Sequence, residues 1–381
     1  MLLGATMASA QIDTERRQIL HLGYDASLEG HAPIAAYAFY YLNRPQFLRD
    51  DMTLRMAVAP VYFDSELGWA HLLGPNTDLG IGVAGGGFAD SYREIRGGKY
   101  YPKESFDGHG GGMSVSLYHR FNPTQRVPLF GVLRAGMHYS LYSAGKDTSG
   151  QFDLPENHPS ANIRVGLRLG GKEPDLFPAL AMELAIWAES YSRGDDGPYG
   201  YDGDRELNSY AQKFYAHGYL AYTFERGDNA NISMTAGTSI NADRFSAYRL
   251  GSMLPLVAEY PLILPGYFFQ ELSADQFILW HGRYAVTLDE KKQWQIAAMA
   301  STATVSFIDE QDQPERWFSG VGGGVAYQSS KGTWKTAVTY GYGIDAIRDG
   351  DRGSHVVGVV LQLDLEQFLN KQRSEPFWWW Q

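Results

Sequence analysis

The feature that most constrains this chain is a period-two alternation of apolar and polar residues that recurs along its length, while helical periodicity is scarce. Ile163, Val165, Leu167 and Leu169 fall on one face and Arg164, Gly166 and Arg168 on the other. Met182, Leu184 and Ile186 oppose Glu183, Ala185 and Trp187 in the same way, as do Val359, Leu361, Leu363 and Leu365 against Val360, Gln362, Asp364 and Glu366. Alternation of this kind describes strands with two different faces. No window offers the ~18–20 uninterrupted apolar residues of a membrane-spanning helix. The longest apolar stretch, 254–269, is broken by Glu259 and by Pro255, Pro261 and Pro265.

A soluble sandwich and a membrane barrel both alternate, so connection lengths must separate them. Strands are expected near 17–25, 33–42, 52–63, 66–73, 78–89, 110–121, 127–142, 158–170, 178–192, 208–225, 231–241, 276–288, 293–307, 318–328, 333–343 and 355–368. The connections 90–109, 143–157, 193–207, 242–275, 308–317 and 344–354 are long. Those at 74–77, 122–126, 171–177, 226–230, 289–292 and 329–332 are short and lie on the side of both termini. Sixteen antiparallel strands, short turns on one rim and long loops on the other predict an all-β transmembrane barrel of a bacterial outer membrane, with a long loop between strands 11 and 12.

Composition agrees. The chain has 43 Gly, 25 Tyr, 19 Phe and 9 Trp, which suits aromatic girdles and a glycine-rich, polar interior. No cysteine is present, which removes disulfide scaffolds, thiolate metal sites and thiol nucleophiles. A net charge of −11 argues against a nucleic-acid partner. The opening MLLGATMASAQ ends in Ala8-Ser9-Ala10, a small-x-small cleavage form, so residues 1–10 read as a signal-peptide remnant. Residues 11–368 then form one barrel domain, and 369–381 form an aromatic tail whose Trp378, Trp379 and Trp380 suit the headgroup level or a periplasmic contact.

The stretch from Asp243 through Arg244, Phe245, Arg249 and Gly251 resembles the "R-F-x-x-G-G" opening of the sixth extracellular loop in the BamA/TamA-type assembly and translocation barrels, the bacterial surface antigen family. Pro265-Gly266-Tyr267 stands where that family has an Arg-Gly-Tyr tip, and Gly282-Arg283-Tyr284 is similar to the strand that follows. Gly320 to Val325, Tyr327 to Gly332 and Val338 to Tyr342 resemble the family's last strands. Gly358, Leu361 and Leu363 fit its C-terminal insertion signal. The resemblance covers about residues 240–368. It implies outer-membrane lipid surroundings, insertion by the barrel-assembly machinery, a possible periplasmic partner, and a role in membrane biogenesis, translocation or transport, here without POTRA modules. It also implies a loop pinned in the lumen by an arginine. Pro265 replaces that arginine, and Arg249 is the candidate substitute.

By alternation Arg164, Arg168, Glu183, Lys213, His217, Arg283, Asp364 and Glu366 are expected to face the lumen, since a charge on the lipid face near midplane costs about 2–4 kcal/mol. The loop 242–275 carries Leu254, Leu256, Val257, Leu262, Ile263, Leu264, Phe268 and Phe269, so it is expected to fold inward as a plug or lid. The alternative function is a lipid hydrolase in which His138 serves Ser140 on the same strand face; a passive pore is a third reading. Gly108-His109-Gly110-Gly111-Gly112 resembles an oxyanion-hole run but lacks a nucleophile elbow, so it reads as the start of a strand. Asp202-Gly203-Asp204 and Asp349-Gly350-Asp351 read as solvated turns and not cation loops. No metal site and no cofactor are expected.

Overall fold

The computed structural model describes residues 15–171, 180–194, 197–256 and 258–368. The expected leader at 1–10 and the tail at 369–381 lie outside the described residues, as does Val257. Sixteen strands close into an antiparallel barrel. They are β1 Arg17–Ser27, β2 Ala35–Pro45, β3 Met52–Val58, β4 Tyr62–Trp69, β5 Thr77–Gly86, β6 Phe106–Arg120, β7 Leu129–Ala144 and β8 His158–Gly171. The wall continues with β9 Leu180–Arg193, β10 Tyr210–Thr223, β11 Asn229–Ile240, β12 Leu272–Thr287, β13 Trp294–Phe307, β14 Trp317–Gln328, β15 Trp334–Arg348 and β16 Asp351–Asp364. Each strand pairs with its neighbour in sequence. The ring closes where β1 meets β16, from Ile19 opposite Asp364 to Ser27 opposite Val356. Closure leaves no open sheet edge at the seam, which lipid surroundings require.

The alternation places side chains as expected. Ile163, Val165 and Leu167 of β8 and Met182, Leu184 and Ile186 of β9 are exposed, whereas Arg164, Arg168, Glu183 and Trp187 are buried. In a closed barrel the exposed apolar set is the lipid-facing surface. Inside the β3–β7 wall, Glu66 accepts hydrogen bonds from Arg134 Nη2 (2.7 Å), Tyr118 Oη and Ser116 Oγ, with Arg55 3.9 Å away.

Two stretches differ from the sequence reading. The turn between β3 and β4 falls at 59–61 and not near 63–66, so β3 and β4 have 7 and 8 residues. Pro60 is the reason, because proline offers no N–H to a ladder. β2 therefore pairs with β3 only from Tyr40 to Pro45, although β1 covers it up to Ala35. At the other end, 344–354 is not a long loop. β15 runs on to Arg348 through a register irregularity after Gly343 and turns at Asp349-Gly350, both with positive φ. Two positive-φ residues in that order make the turn that right-twisted hairpins prefer.

Candidate functional site in the barrel lumen

The connection 241–271 leaves β11, adds the short strand Tyr248–Leu250 beside β12, and then enters the lumen. Its path is fixed by polar contacts to opposite walls. Ser252 Oγ and the Met253 N–H donate to Asp25 Oδ2 of β1 at 2.8 and 2.7 Å. Across the barrel, Glu259 takes Arg164 Nη2 at 3.1 Å and Arg168 Nη1 at 3.2 Å from β8. Arg168 also holds Glu183 of β9 at 2.7 Å, and Arg164 lies 3.4 Å from Glu189 and stacks 3.9 Å over Trp187. Tyr260 accepts from Trp187 Nε1 and packs on His217. These arginines and Glu259 are all nearly buried, so their charges interact with little screening.

The loop tip seats on a glycine wall. A Cβ on Gly320 of β14 would stand 2.1 Å from the Pro265 carbonyl, and one on Gly266 would stand 1.8 Å from Gly343 N of β15. The loop backbone therefore approaches the strands more closely than any side chain allows. Beside the tip, Arg348 of β15 forms a paired contact with Glu271, Nη1 to Oε1 and Nη2 to Oε2 both at 2.8 Å, and lies 3.6 Å over Phe268. Leu254, Leu256 and Phe269 bury against Ile19, Tyr37, Phe39 and Tyr41, which accounts for the loop's apolar content.

Above the loop, at the long-loop rim, Glu94 organises a cap. It is fully buried, accepts from Tyr92 Oη (2.7 Å) and Gln311 Nε2 (2.8 Å), and lies 3.3 to 3.6 Å from Arg96, Arg205 and Arg244. Burial alone would push its carboxyl up, but Arg205, Arg244 and the two hydrogen bonds outweigh that and hold it below the usual carboxylate value. Phe245 fills an aromatic cluster with Tyr92 of the β5–β6 connection, Phe106 of β6, Tyr142 of β7 and Tyr199 of the β9–β10 connection.

The residues singled out from sequence fall as follows. Arg164, Arg168, Glu183, Lys213, His217 and Arg283 face the interior, and Asp364 sits opposite Ile19 at the inner rim. Glu366 lies beyond the end of β16 and pairs with Arg16, because the strand stops at Asp364. Arg244 and Phe245 belong to the cap. Arg249 donates to the carbonyls of Gln270 and Arg93 and contacts no carboxylate in these bonds. Gly251 has positive φ, and Tyr267 is buried edge-on to Phe318. On β16, Gly358 faces inward near Asp25 and Thr339, while Leu361 and Leu363 alternate with buried Val360 and Gln362. Asp202 and Gly203 turn with positive φ while Asp204 caps Tyr201 N–H at 2.8 Å.

His138 and Ser140 lie on the lumenal face of β7, since Met137, Tyr139 and Leu141 are the exposed residues. His138 Nε2 is 2.8 Å from Asp90 Oδ2, and a Cβ on Gly110 would collide with both groups. The pair thus faces the lumen and not the apolar outer surface of the barrel. Sequence reasoning missed Asp25, Glu94, Glu259, Glu271 and Arg348. The expected pin was a loop arginine, whereas here the loop supplies carboxylates and the wall supplies arginines.

No protein-family model and no curated protein matches the sequence. Solved structures do match its fold. CdiB from Acinetobacter baumannii superposes with a TM-score of 0.59 at 9% identity over 92% of this chain and 60% of its own. CdiB from Escherichia coli gives 0.56 at 13% identity over 92% and 63%, and BamA from Haemophilus ducreyi lacking POTRA domains 1–3 gives 0.54 at 11% over 91% and 71%. The chain therefore spans less than two thirds of the two CdiB chains. With its closed ring and apolar belt, it is in fold a sixteen-stranded transmembrane β-barrel of the bacterial outer-membrane type that BamA and CdiB share.

Proposed function

We propose that this protein is a non-enzymatic outer-membrane barrel of membrane biogenesis, protein translocation or transport, kept shut by residues 242–275 acting as a plug. The observation that carries the reading is the bridge from Glu259 to Arg164 and Arg168, made across the lumen from the point where Asp25 holds Ser252 and Met253. A loop clamped at two separated walls obstructs the passage between them. The lumenal orientation of His138 and Ser140 favours a non-enzymatic role over lipid hydrolysis. Insertion by the barrel-assembly machinery and contact with a periplasmic partner are part of the same reading.

The test is conductance in planar bilayers. Intact protein passes little current, and deletion of 250–270 opens a wide channel. A wide, steady channel from the intact protein overturns the proposal.

A further inference from the structure

The loop does not fill the lumen. Beneath it, toward the rim of the short turns, is a cavity of about 180 Å³. A cavity of roughly 150 Å³ takes a guest the size of benzene, so this one has room for a small organic molecule. Its apolar side is formed by Met253 and Leu256 of the loop and by Val325, Ala326, Ala337 and Val360 of β14 to β16.

Beside that apolar surface stands a carboxylate that is only half satisfied. Asp25 of β1 lines the cavity and is 7% exposed. Its Oδ2 takes both loop donors, the Ser252 hydroxyl and the Met253 N–H, while no donor among the described residues reaches Oδ1. A buried charged oxygen without a donor is unfavourable, so this atom favours any donor that can reach it. Asp25 stands opposite Gly358 of β16, and Gly358 opposite Thr339 of β15. A Cβ at Gly358 would stand 2.7 Å from Asp25 Oδ1 and 2.6 Å from Thr339 Oγ1. The two oxygens therefore lean over the glycine, close enough for one donor atom to bridge them. Thr339 donates its proton to the Gly358 carbonyl at 3.3 Å, which leaves Oγ1 as an acceptor.

Two converging acceptors, one of them charged, call for a cation that only donates, and an ammonium group carries three such donors. A divalent metal fits poorly, because it takes six or more oxygens and no cluster of three His, Asp or Glu occurs among the described residues. The cations of the same cavity stand apart from this corner. Arg168 is paired with Glu183 and Glu259, and Arg283 is on β12, with β13 to β16 between it and β1.

We propose that this cavity binds a small aliphatic amine, its ammonium on Asp25 Oδ1 and Thr339 Oγ1 over Gly358 and its chain against Leu256, Ala337 and Val360. A partly apolar pocket with a few convergent polar groups is the usual form of a small-molecule site. The site rests on the loop reading above for part of its apolar side, whereas Asp25, Thr339 and Gly358 belong to the wall.

The experiment is isothermal titration of n-hexylamine into the full-length protein in lipid nanodiscs, with lipid-only discs as blank. Asp25→Asn keeps an oxygen for Ser252 and Met253 but puts an NH2 group where Oδ1 stood, and Thr339→Val removes the second acceptor without touching the loop contacts. The expected result is saturable one-to-one binding, weakened about tenfold or more in Asp25→Asn and about fivefold in Thr339→Val, with no matching uptake of 1-hexanol or hexanoate. Heat-modifiable gel migration checks that each variant is folded, and two variants on different strands guard against one failing to fold. Hexylamine heats equal to the blank, affinity unchanged in both folded variants, or 1-hexanol binding as tightly as the amine overturns the proposal. Conductance measured alongside separates the two readings. A low-conducting protein without amine binding overturns the site alone, and a wide-open intact channel that still binds the amine through Asp25 overturns the plug alone.

Discussion

Glu259 is the residue on which the closed lumen turns, and its removal gives a quantitative test. Glu259→Gln keeps the size of the side chain but deletes the charge that faces Arg164 and Arg168, both under a tenth exposed, and turns one of its two accepting oxygens into an amide NH2 that cannot accept from an arginine. Removing one partner of a buried pair costs about 3–5 kcal/mol because the other charge stays buried. Here each arginine retains a second carboxylate, Arg164 with Glu189 at 3.4 Å and Arg168 with Glu183 at 2.7 Å. The lower end, about 3 kcal/mol, is therefore the expected loss, and at 1.4 kcal/mol per decade it shifts the closed-to-open ratio roughly a hundredfold. Single-channel recording reads this directly as a rise in open probability. A cycle with Arg168→Gln isolates the pair, since neighbours in one network are non-additive. An open probability unchanged in folded Glu259→Gln protein refutes the reasoning.

Three further outcomes follow from the same contacts. Because the Glu94 carboxyl is held below its ordinary value of 4.5, its contribution is full above that pH and is lost as pH falls through the lower folded value; protease access to loops 145–157 and 197–209 rises at pH 3 and not between pH 7 and 5. A rise already complete at pH 5 contradicts it. Gly266→Val puts a branched side chain where a Cβ already overlaps Gly343 N, at a φ of 84°, so the tip is displaced and crosslinking between cysteines placed at 267 and 319 is lost. Glu66→Ala takes the carboxylate that accepts from Arg134 and lies 3.9 Å from Arg55 out of the β3–β7 wall and, with Asp64 still nearby, lowers stability by about 3 kcal/mol, the lower end for a broken buried pair, read as a fall in the unfolding midpoint in urea with an unchanged slope.

Much of the wall was legible because its physics is local. Ile163, Val165 and Leu167 must face lipid if Arg164 and Arg168 are to avoid it, and that single constraint sets the register of β8 and its neighbours. The errors lie where the local signal was overridden. Pro60 ended β3 earlier than its flanking apolar residues suggested, and Asp349-Gly350 folded an apparent loop into a hairpin, which moved Arg348 from solvent to the interior. The site was less legible. Glu259 looked like an interruption of an apolar run, and its partners lie more than ninety residues earlier, so nothing in spacing or periodicity joins them. Glu94 sits in a connection without periodicity, and three arginines from three segments give it meaning only after folding. The glycines of β14 and β15 were visible as a motif, but the Pro265-Gly266 tip that requires them was not.

The early turn at Pro60 also bears on the membrane itself. At 3.4 Å per residue and a tilt near 45°, the 7 residues of β3 reach about 17 Å along the barrel axis. The 14 to 16 residues of β6 to β10 reach about 34–38 Å. A hydrocarbon layer near 30 Å matches the tall side and overshoots the low one. Lipids beside β3 and β4 must compress, or the cylinder must lean until its belt fits. Either adjustment stores elastic energy on one flank, so the protein imposes a direction on the bilayer around it.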